Sequence, residues 1–166
     1  MEYIIRRREK RDCDSIAHVV TVAWQETYRG IVNVEFLDNL PNTEEERAKK
    51  SYNEFNVNDN HQFVLEVGDE IVGFIYVGIT DDKNQGEIFS LYILKKCKGN
   101  GFGRKLLEVG IDELKSLGCT KMIIGCLEEN PSNEFYKHMG GKFIKTRIFK
   151  LPNQELNENV YYYDSI

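Results

Sequence analysis

The stretch of this 166-residue chain best suited to chemistry is Lys98-Gly99-Asn100-Gly101-Phe102-Gly103-Arg104-Lys105. Three glycines in five positions let a backbone take positive φ and bring its N–H groups close to a ligand. The pattern that follows is helical, so the loop also faces the positive end of a helix. An anion is favoured there, a phosphate above all, with Lys98, Arg104 and Lys105 adding local positive charge. A plain strand-to-helix turn is the competing reading. A nucleoside-triphosphate loop is disfavoured because no Gly-Lys-Ser/Thr follows. The dinucleotide fingerprint is weak too, since the spacing is GxGxG and a hairpin meander precedes it. A phosphate-bearing cofactor held on backbone amides remains. No metal is expected: His18, His61 and His138 are scattered, and Cys13, Cys97, Cys119 and Cys126 form no CxxC pair.

The elements around the loop must position it. Ile4 and Ile5 suit a short strand within Met1–Arg8. Asp12 or Asp14 can cap a helix that carries Ile16, Val19, Val20, Ala23 and Trp24 on one face. Tyr28 and Ile31 extend that stripe toward a turn at Gly30. A second helix is predicted from about Thr43, where Thr43-x-x-Glu46 reads as a capping box ahead of Arg47–Phe55. Its thin apolar content predicts a partly exposed flank. Phe63–Val67 and Ile71–Val77 read as strands joined by a tight Gly-Asp turn. After a polar loop, Thr80–Gln85, a third run at Glu87–Leu94 completes an antiparallel meander.

The helix after Gly103 carries Leu106, Leu107, Ile111, Leu114 and Leu117 and stops at Gly118. Lys121–Leu127 suits a buried strand. Asn130-Pro131 starts a helix that runs to Met139 and ends at Gly140-Gly141. Strands at Lys142–Leu151 and Val160–Asp164 close the chain. The order predicts an α+β fold: a mixed, mainly antiparallel sheet flanked by helices, with a central β-loop-α-β crossover over Glu87–Leu127. No repeat or linker interrupts the chain, so residues 1–166 read as one domain.

Lys+Arg of 22 against Asp+Glu of 27 gives a net charge of −5, which nudges toward cationic partners and away from nucleic acid and anionic membranes. No apolar run approaches the roughly 20 residues of a bilayer span. The start MEYIIRRREKRD has no signal-peptide core, so the thiols read as reduced and the protein as cytoplasmic.

Two motifs carry a family likeness. EIFSLYILKKCKGNGFGRKLLEVGIDEL resembles motif A of the GCN5-related N-acetyltransferases (GNAT family), with Lys98 where Gln or Arg is usual. Lys121–Leu127 followed by ENPSNEFYKHMGGKF resembles motif B, with Asn133 where many members have alanine and Gly141-Lys142-Phe143 in place of Gly-Phe. TYRGIVNVEFLDNL is similar to a pattern in bacterial members. The resemblance implies acetyl-CoA held between two splayed parallel strands, Glu87–Leu94 and Lys121–Leu127. The pantetheine arm would pair with the backbone at Leu91, Tyr92 and Ile93. The pyrophosphate would sit on the amides of Gly99, Asn100, Gly101, Phe102, Gly103 and Arg104 beside Lys98. Asn130 would face the pantetheine, unless it only caps its helix; Arg104 is equally readable as a solvated first-turn residue.

The same resemblance implies direct transfer of acetyl to a primary amine in a ternary complex. Glu87 stands 14 residues before Gly101, the offset of the general base in the histone-acetylating branch. It is also readable as an ordinary strand-start residue or as the structural partner of a nearby base. Tyr136 holds the family's general-acid position, against a reading as a packed helix aromatic, and Phe135 beside it reads as core. A backbone N–H near Ile93 would polarise the thioester carbonyl. Cys97 and Cys126 lack a paired histidine and read as buried thiols, not as acetyl carriers. Trp24 reads as core; Tyr28 is a candidate for the acceptor pocket. The run Tyr161-Tyr162-Tyr163 is a candidate for the acceptor site or for an interface such as a homodimer. The acceptor class stays open among polyamines, aminoglycosides and protein amines. A non-catalytic acyl-CoA sensor on the same fold is the alternative.

Overall fold

The computed structural model describes residues 1–166. In chain order it contains β1 (Tyr3–Arg7), α1 (Cys13–Tyr28), α2 (Val34–Glu54), β2 (Gln62–Val67), β3 (Glu70–Ile79), β4 (Gln85–Ile93), α3 (Phe102–Ser116), β5 (Lys121–Leu127), α4 (Ser132–His138), β6 (Lys142–Leu151) and β7 (Gln154–Tyr163). The strand order is β1-β2-β3-β4-β5-β7-β6. The expected α+β order is present, with a mixed seven-stranded sheet. The chain forms two compact units: Met1–Tyr76 with Ser90–Val109, and Val77–Phe89 with Gly110–Ile166.

In the first unit, β1 pairs antiparallel with β2 from Tyr3↔Val67 to Arg7↔Phe63. The β2–β3 hairpin turns on Gly68, whose φ of +62° suits the two-residue turn. Val19, Leu37, Val64, Leu65, Ile75, Leu106 and Leu107 form the buried core of this unit. Asp12 does not cap α1 with its side chain. Its carboxylate accepts two hydrogen bonds from Arg6, at 2.8 and 3.0 Å, and one from the Glu9 N–H at 2.7 Å. The charge of Arg6 recruits it to the end of β1.

The second helix starts ten residues before the predicted capping box. Asn33 is its N-cap, its Oδ1 accepting the Glu35 N–H at 2.9 Å. Thr43 therefore lies inside the helix, and its hydroxyl donates to Leu40 O at 3.2 Å. The helix continues through Pro41 even though proline has no N–H to give the carbonyl four residues back. That carbonyl is Leu37 O, and Gln25 Nε2 on α1 donates to it at 3.0 Å. A neighbouring side chain replaces the bond that the proline removes. Leu37, Leu40 and Ala48 are buried, while most of the helix surface is exposed, as its thin apolar content predicts.

In the second unit, β5 pairs parallel with β4 from Gln85↔Lys121 to Ile88↔Ile124 and antiparallel with β7 from Met122↔Tyr163 to Leu127↔Glu158. The parallel neighbours implied by the crossover are present. One face of this sheet carries Gly86, Ile88, Ile124 and Tyr161. Gly86 is required here, because a Cβ would lie 2.5 Å from Leu114 Cδ2 of α3. Both helix ends in this unit close by the same device. Cys119 N bonds Leu114 O and Gly118 N bonds Lys115 O; Gly141 N bonds Tyr136 O and Gly140 N bonds Lys137 O. Gly118 and Gly140, at φ +90° and +100°, take the left-handed position of this Schellman closure. β7 begins at Gln154, six residues before its predicted start, because β6 pairs with it through Leu151↔Gln154.

Burial works to raise the Asp12 pKa, but the bonds from Arg6 and Glu9 prevail and hold it below the ordinary 3.8. A depressed carboxyl stabilises the fold above its unfolded pKa and loses that contribution as pH falls through the folded value. Asp12→Ala should cost about 3 kcal/mol at pH 7. Urea unfolding of both proteins at pH 7 and pH 3 checks this, with the gap expected to narrow at pH 3.

Candidate active site

The glycine loop lies in the first unit. A short turn, Lys95–Cys97, follows β4 and is closed by Lys98 N to Lys95 O at 3.1 Å. Glu26 Oε2 holds the Lys95 N–H at 2.8 Å. Gly99 and Gly101 then take φ of +81° and +77°. A Cβ at either would meet nothing within 4 Å, so backbone conformation and not crowding demands glycine. Asn100 Nδ2 donates to Cys97 O at 3.1 Å and pins the bend from inside. The first bond of α3 runs from Lys105 N to Gly101 O, and the N–H groups from Gly99 to Arg104 meet no protein acceptor. Lys98, Gly99, Asn100, Gly101 and Arg104 are exposed, Gly103 is partly covered and Phe102 is buried against Tyr3. Arg104 Nε bonds Glu108 Oε1 at 3.1 Å, and the Lys105 ammonium lies 5.4 Å from the centre of the Tyr3 ring. Six unpaired amides at a helix start are a fit for a diphosphate.

Leu91, Tyr92 and Ile93 lie at the half-buried end of β4. The Tyr92 hydroxyl accepts from Trp24 Nε1 at 3.0 Å, and its ring is 5.5 Å from Phe74. Trp24 is half-buried beside Tyr28 and Phe36, so the sequence expectation of a core tryptophan is met only in part. Tyr28 is buried. Gly73 permits β3 to lie close to this strand: a Cβ there would be 2.6 Å from Tyr92 O.

Glu87 and Tyr136 both lie in the second unit, on opposite faces of its sheet. Glu87 shares a row with Ile123 and Tyr162. Its Oε2 accepts from Arg147 Nη2 of β6 at 2.9 Å, and Arg147 Nε donates in turn to Glu158 Oε1 of β7. Gly125 makes room for this bridge; a Cβ would fall 2.5 Å from Glu158 Cδ and 2.7 Å from Arg147 Nη2. Burial pulls the Arg147 pKa down, but the bonds to Glu158 and Glu87 outweigh it and hold it above its ordinary value. Arg147, Glu158 and Gly125 went unnoticed in the sequence, since only the folded register brings residues 87, 147 and 158 together.

Tyr136, on α4, is buried with its ring centre 6.3 Å from that of Tyr161, while Phe135 is half-buried. Tyr161 and Tyr163 are buried on one face and Tyr162 is partly exposed on the other, the alternation expected of a strand. The segment between β5 and α4 is tied by Asn133. Its Nδ2 donates to Leu127 O at 2.9 Å and Asn130 O at 2.6 Å, and its Oδ1 accepts from Asn159 Nδ2 at 3.0 Å and Tyr161 Oη at 2.6 Å. Asn130 Oδ1 accepts the Ser132 N–H at 2.8 Å, which is the helix-capping role. All four cysteines are buried and free. Burial pushes the Cys126 thiol up to about 12, a poor state for an acetyl-carrying nucleophile.

The comparisons with known proteins converge on one family. The model of the acetyltransferase (GNAT) family matches residues 23–140. The chain belongs to the GNAT family. Membership supports the N-acetyltransferase reading over a binding-only module. The chain is 28% identical over 160 residues to a Bacillus subtilis (strain 168) protein named "Uncharacterized N-acetyltransferase YuaI", covering 93% of this chain and 88% of that one. Its fold is similar to the PaiA N-acetyltransferase of Thermoplasma acidophilum, solved in complex with coenzyme A (TM-score 0.68, 17% identity, 96% and 98% of the two chains). It is also similar to a GNAT acetyltransferase of Streptococcus pneumoniae (TM-score 0.72, 18% identity, 98% and 99%). No helix of the chain is long and apolar enough to cross a membrane.

A β-branched residue at positive φ costs roughly 1–2 kcal/mol. Gly101→Val should therefore weaken coenzyme A binding about tenfold, measured by calorimetry, with near-wild-type circular dichroism.

Proposed function

We propose that residues 1–166 act as one catalytic domain that acetylates a primary amine by direct transfer, with Glu87 as general base and Tyr136 as general acid. The observation that carries this reading is the run of unpaired amides from Gly99 to Arg104 in a chain of this family. Those amides, with Lys98, would hold the pyrophosphate. Backbone groups of Leu91, Tyr92 and Ile93, beyond the last β4–β5 pair at Ile88↔Ile124, would hold the pantetheine arm. Acetyl-CoA supplies the acetyl group as a thioester.

A lysine-like amine with a pKa of about 10.4 costs about 4.6 kcal/mol to deprotonate at pH 7. Glu87, directly or through water, takes that proton as the nitrogen bonds the acetyl carbon. The carbon–sulfur bond breaks, and the Tyr136 hydroxyl gives its proton to the departing sulfur. A backbone N–H near Ile93 would polarise the carbonyl. The net charge of −5 favours a cationic acceptor: a polyamine, an aminoglycoside or a protein amine. Four buried free thiols suit a reducing cytoplasm. Phe143, Ile144 and Ile148, exposed on the outer strand β6, are where a second copy would pack in a homodimer.

The test is thiol release from acetyl-CoA with spermidine, kanamycin and a lysine peptide. At least one should be turned over. Glu87→Gln should lower kcat about a hundredfold or more, and Tyr136→Phe at least about tenfold, with coenzyme A binding retained in both. A melting temperature raised by coenzyme A without turnover of any amine would overturn amine acetylation.

A further inference from the structure

Arg147 joins two carboxylates that lie 60 and 11 residues away in sequence, and does so on a face of the second unit that bears no helix of that unit. Its Nη2 holds Glu87 Oε2 at 2.9 Å; no protein donor meets Glu87 Oε1. The side chains of Glu87 and Glu158 are 15% and 14% exposed, so water screens the cluster only weakly. One guanidinium is shared by two carboxylates, which leaves the cluster with one net negative charge. Of the other charged or titratable groups on this face, Lys121 is bound by Asp82 at 2.8 Å and Lys142 by Asp164 at 3.3 Å, Lys145 of β6 stands opposite Val160, and Tyr162 stands in the row of Glu87.

We infer that Arg147 is a positioning residue for acetyl transfer: it holds Glu87 by one oxygen so that the other is free to take the acceptor's proton, while Glu158 divides the guanidinium charge. The inference rests on Glu87 being the base. It yields opposite signs for two substitutions at the same bridge. Removing the cation with Arg147→Gln withdraws the charge that favours an ionised Glu87, so a higher pH is needed to ready the base. Removing the competing carboxylate with Glu158→Gln gives Glu87 the whole of that charge, so readiness is reached at lower pH. A clip that only fastened β6 and β7 to β4 would weaken alike when either partner is removed.

The experiment measures kcat and KM against pH by thiol release from acetyl-CoA, using the fastest acceptor among spermidine, kanamycin and a lysine peptide. Melting temperatures are recorded for wild type, Arg147→Gln, Arg147→Lys, Glu158→Gln and Glu87→Gln. Arg147→Gln should lower kcat about tenfold and move the acid limb of the profile to higher pH, with KM for acetyl-CoA unchanged. Arg147→Lys should restore part of both effects, and Glu158→Gln should move the acid limb down. Should Arg147→Gln unfold, the opposed shifts of Arg147→Lys and Glu158→Gln carry the test. Acid limbs that stay in place, or move the same way in both, overturn the inference while a slow Glu87→Gln preserves the base. A fully active Glu87→Gln overturns the base assignment and the inference together, as does failure to turn over all three amines.

Discussion

A helix that begins at Phe102 must leave its opening amides without carbonyl partners, and the bend before it supplies none. In a purely structural turn, side chains would cap those amides. Here Asn100 turns its amide inward to Cys97 O and Lys98 O, stiffening the bend without covering the exposed N–H groups. The positive φ values of Gly99 and Gly101 keep the arrangement available only to residues without a Cβ penalty. The unpaired amides, the two left-handed glycines and the neighbouring Lys98, Arg104 and Lys105 together make this bend the candidate anion site.

The second unit satisfies its polar groups in the opposite manner. Asn133 uses both ends of its amide on five partners, joining the β5–α4 segment to β7. Because these bonds are internal, losing the side chain would leave the buried Tyr161 phenol without this acceptor and untie the β5–α4 segment from β7. The Arg147 bridge is less closed. It leaves a carboxylate oxygen uncommitted next to a cation, a combination with more chemical than structural use.

Sequence reading succeeded where the determining signal is local. Alternating apolar runs and paired Gly-Asp residues located the meander, and left-handed glycines located the ends of α3 and α4. It failed at α2 for an identifiable reason. Thr43-x-x-Glu46 looked like a fresh start, because the donor that keeps the helix intact through Pro41 belongs to Gln25 on another helix. Asp12 misled similarly: a carboxylate before a helix reads as a cap until Arg6 competes for it. At the candidate site, the glycine bend ahead of α3 was legible because it is written in eight consecutive residues. The partners of Glu87 were not, because β6 and β7 contribute them through register alone.

The bond from Gln25 to Leu37 O has an evolutionary corollary. Proline at position 41 and an amide donor at position 25 are coupled through that one carbonyl. A lineage that trades Pro41 for an ordinary residue regains an intrahelical donor and frees position 25 to drift, whereas one that loses Gln25 first must pass through an intermediate with an orphaned carbonyl between two helices.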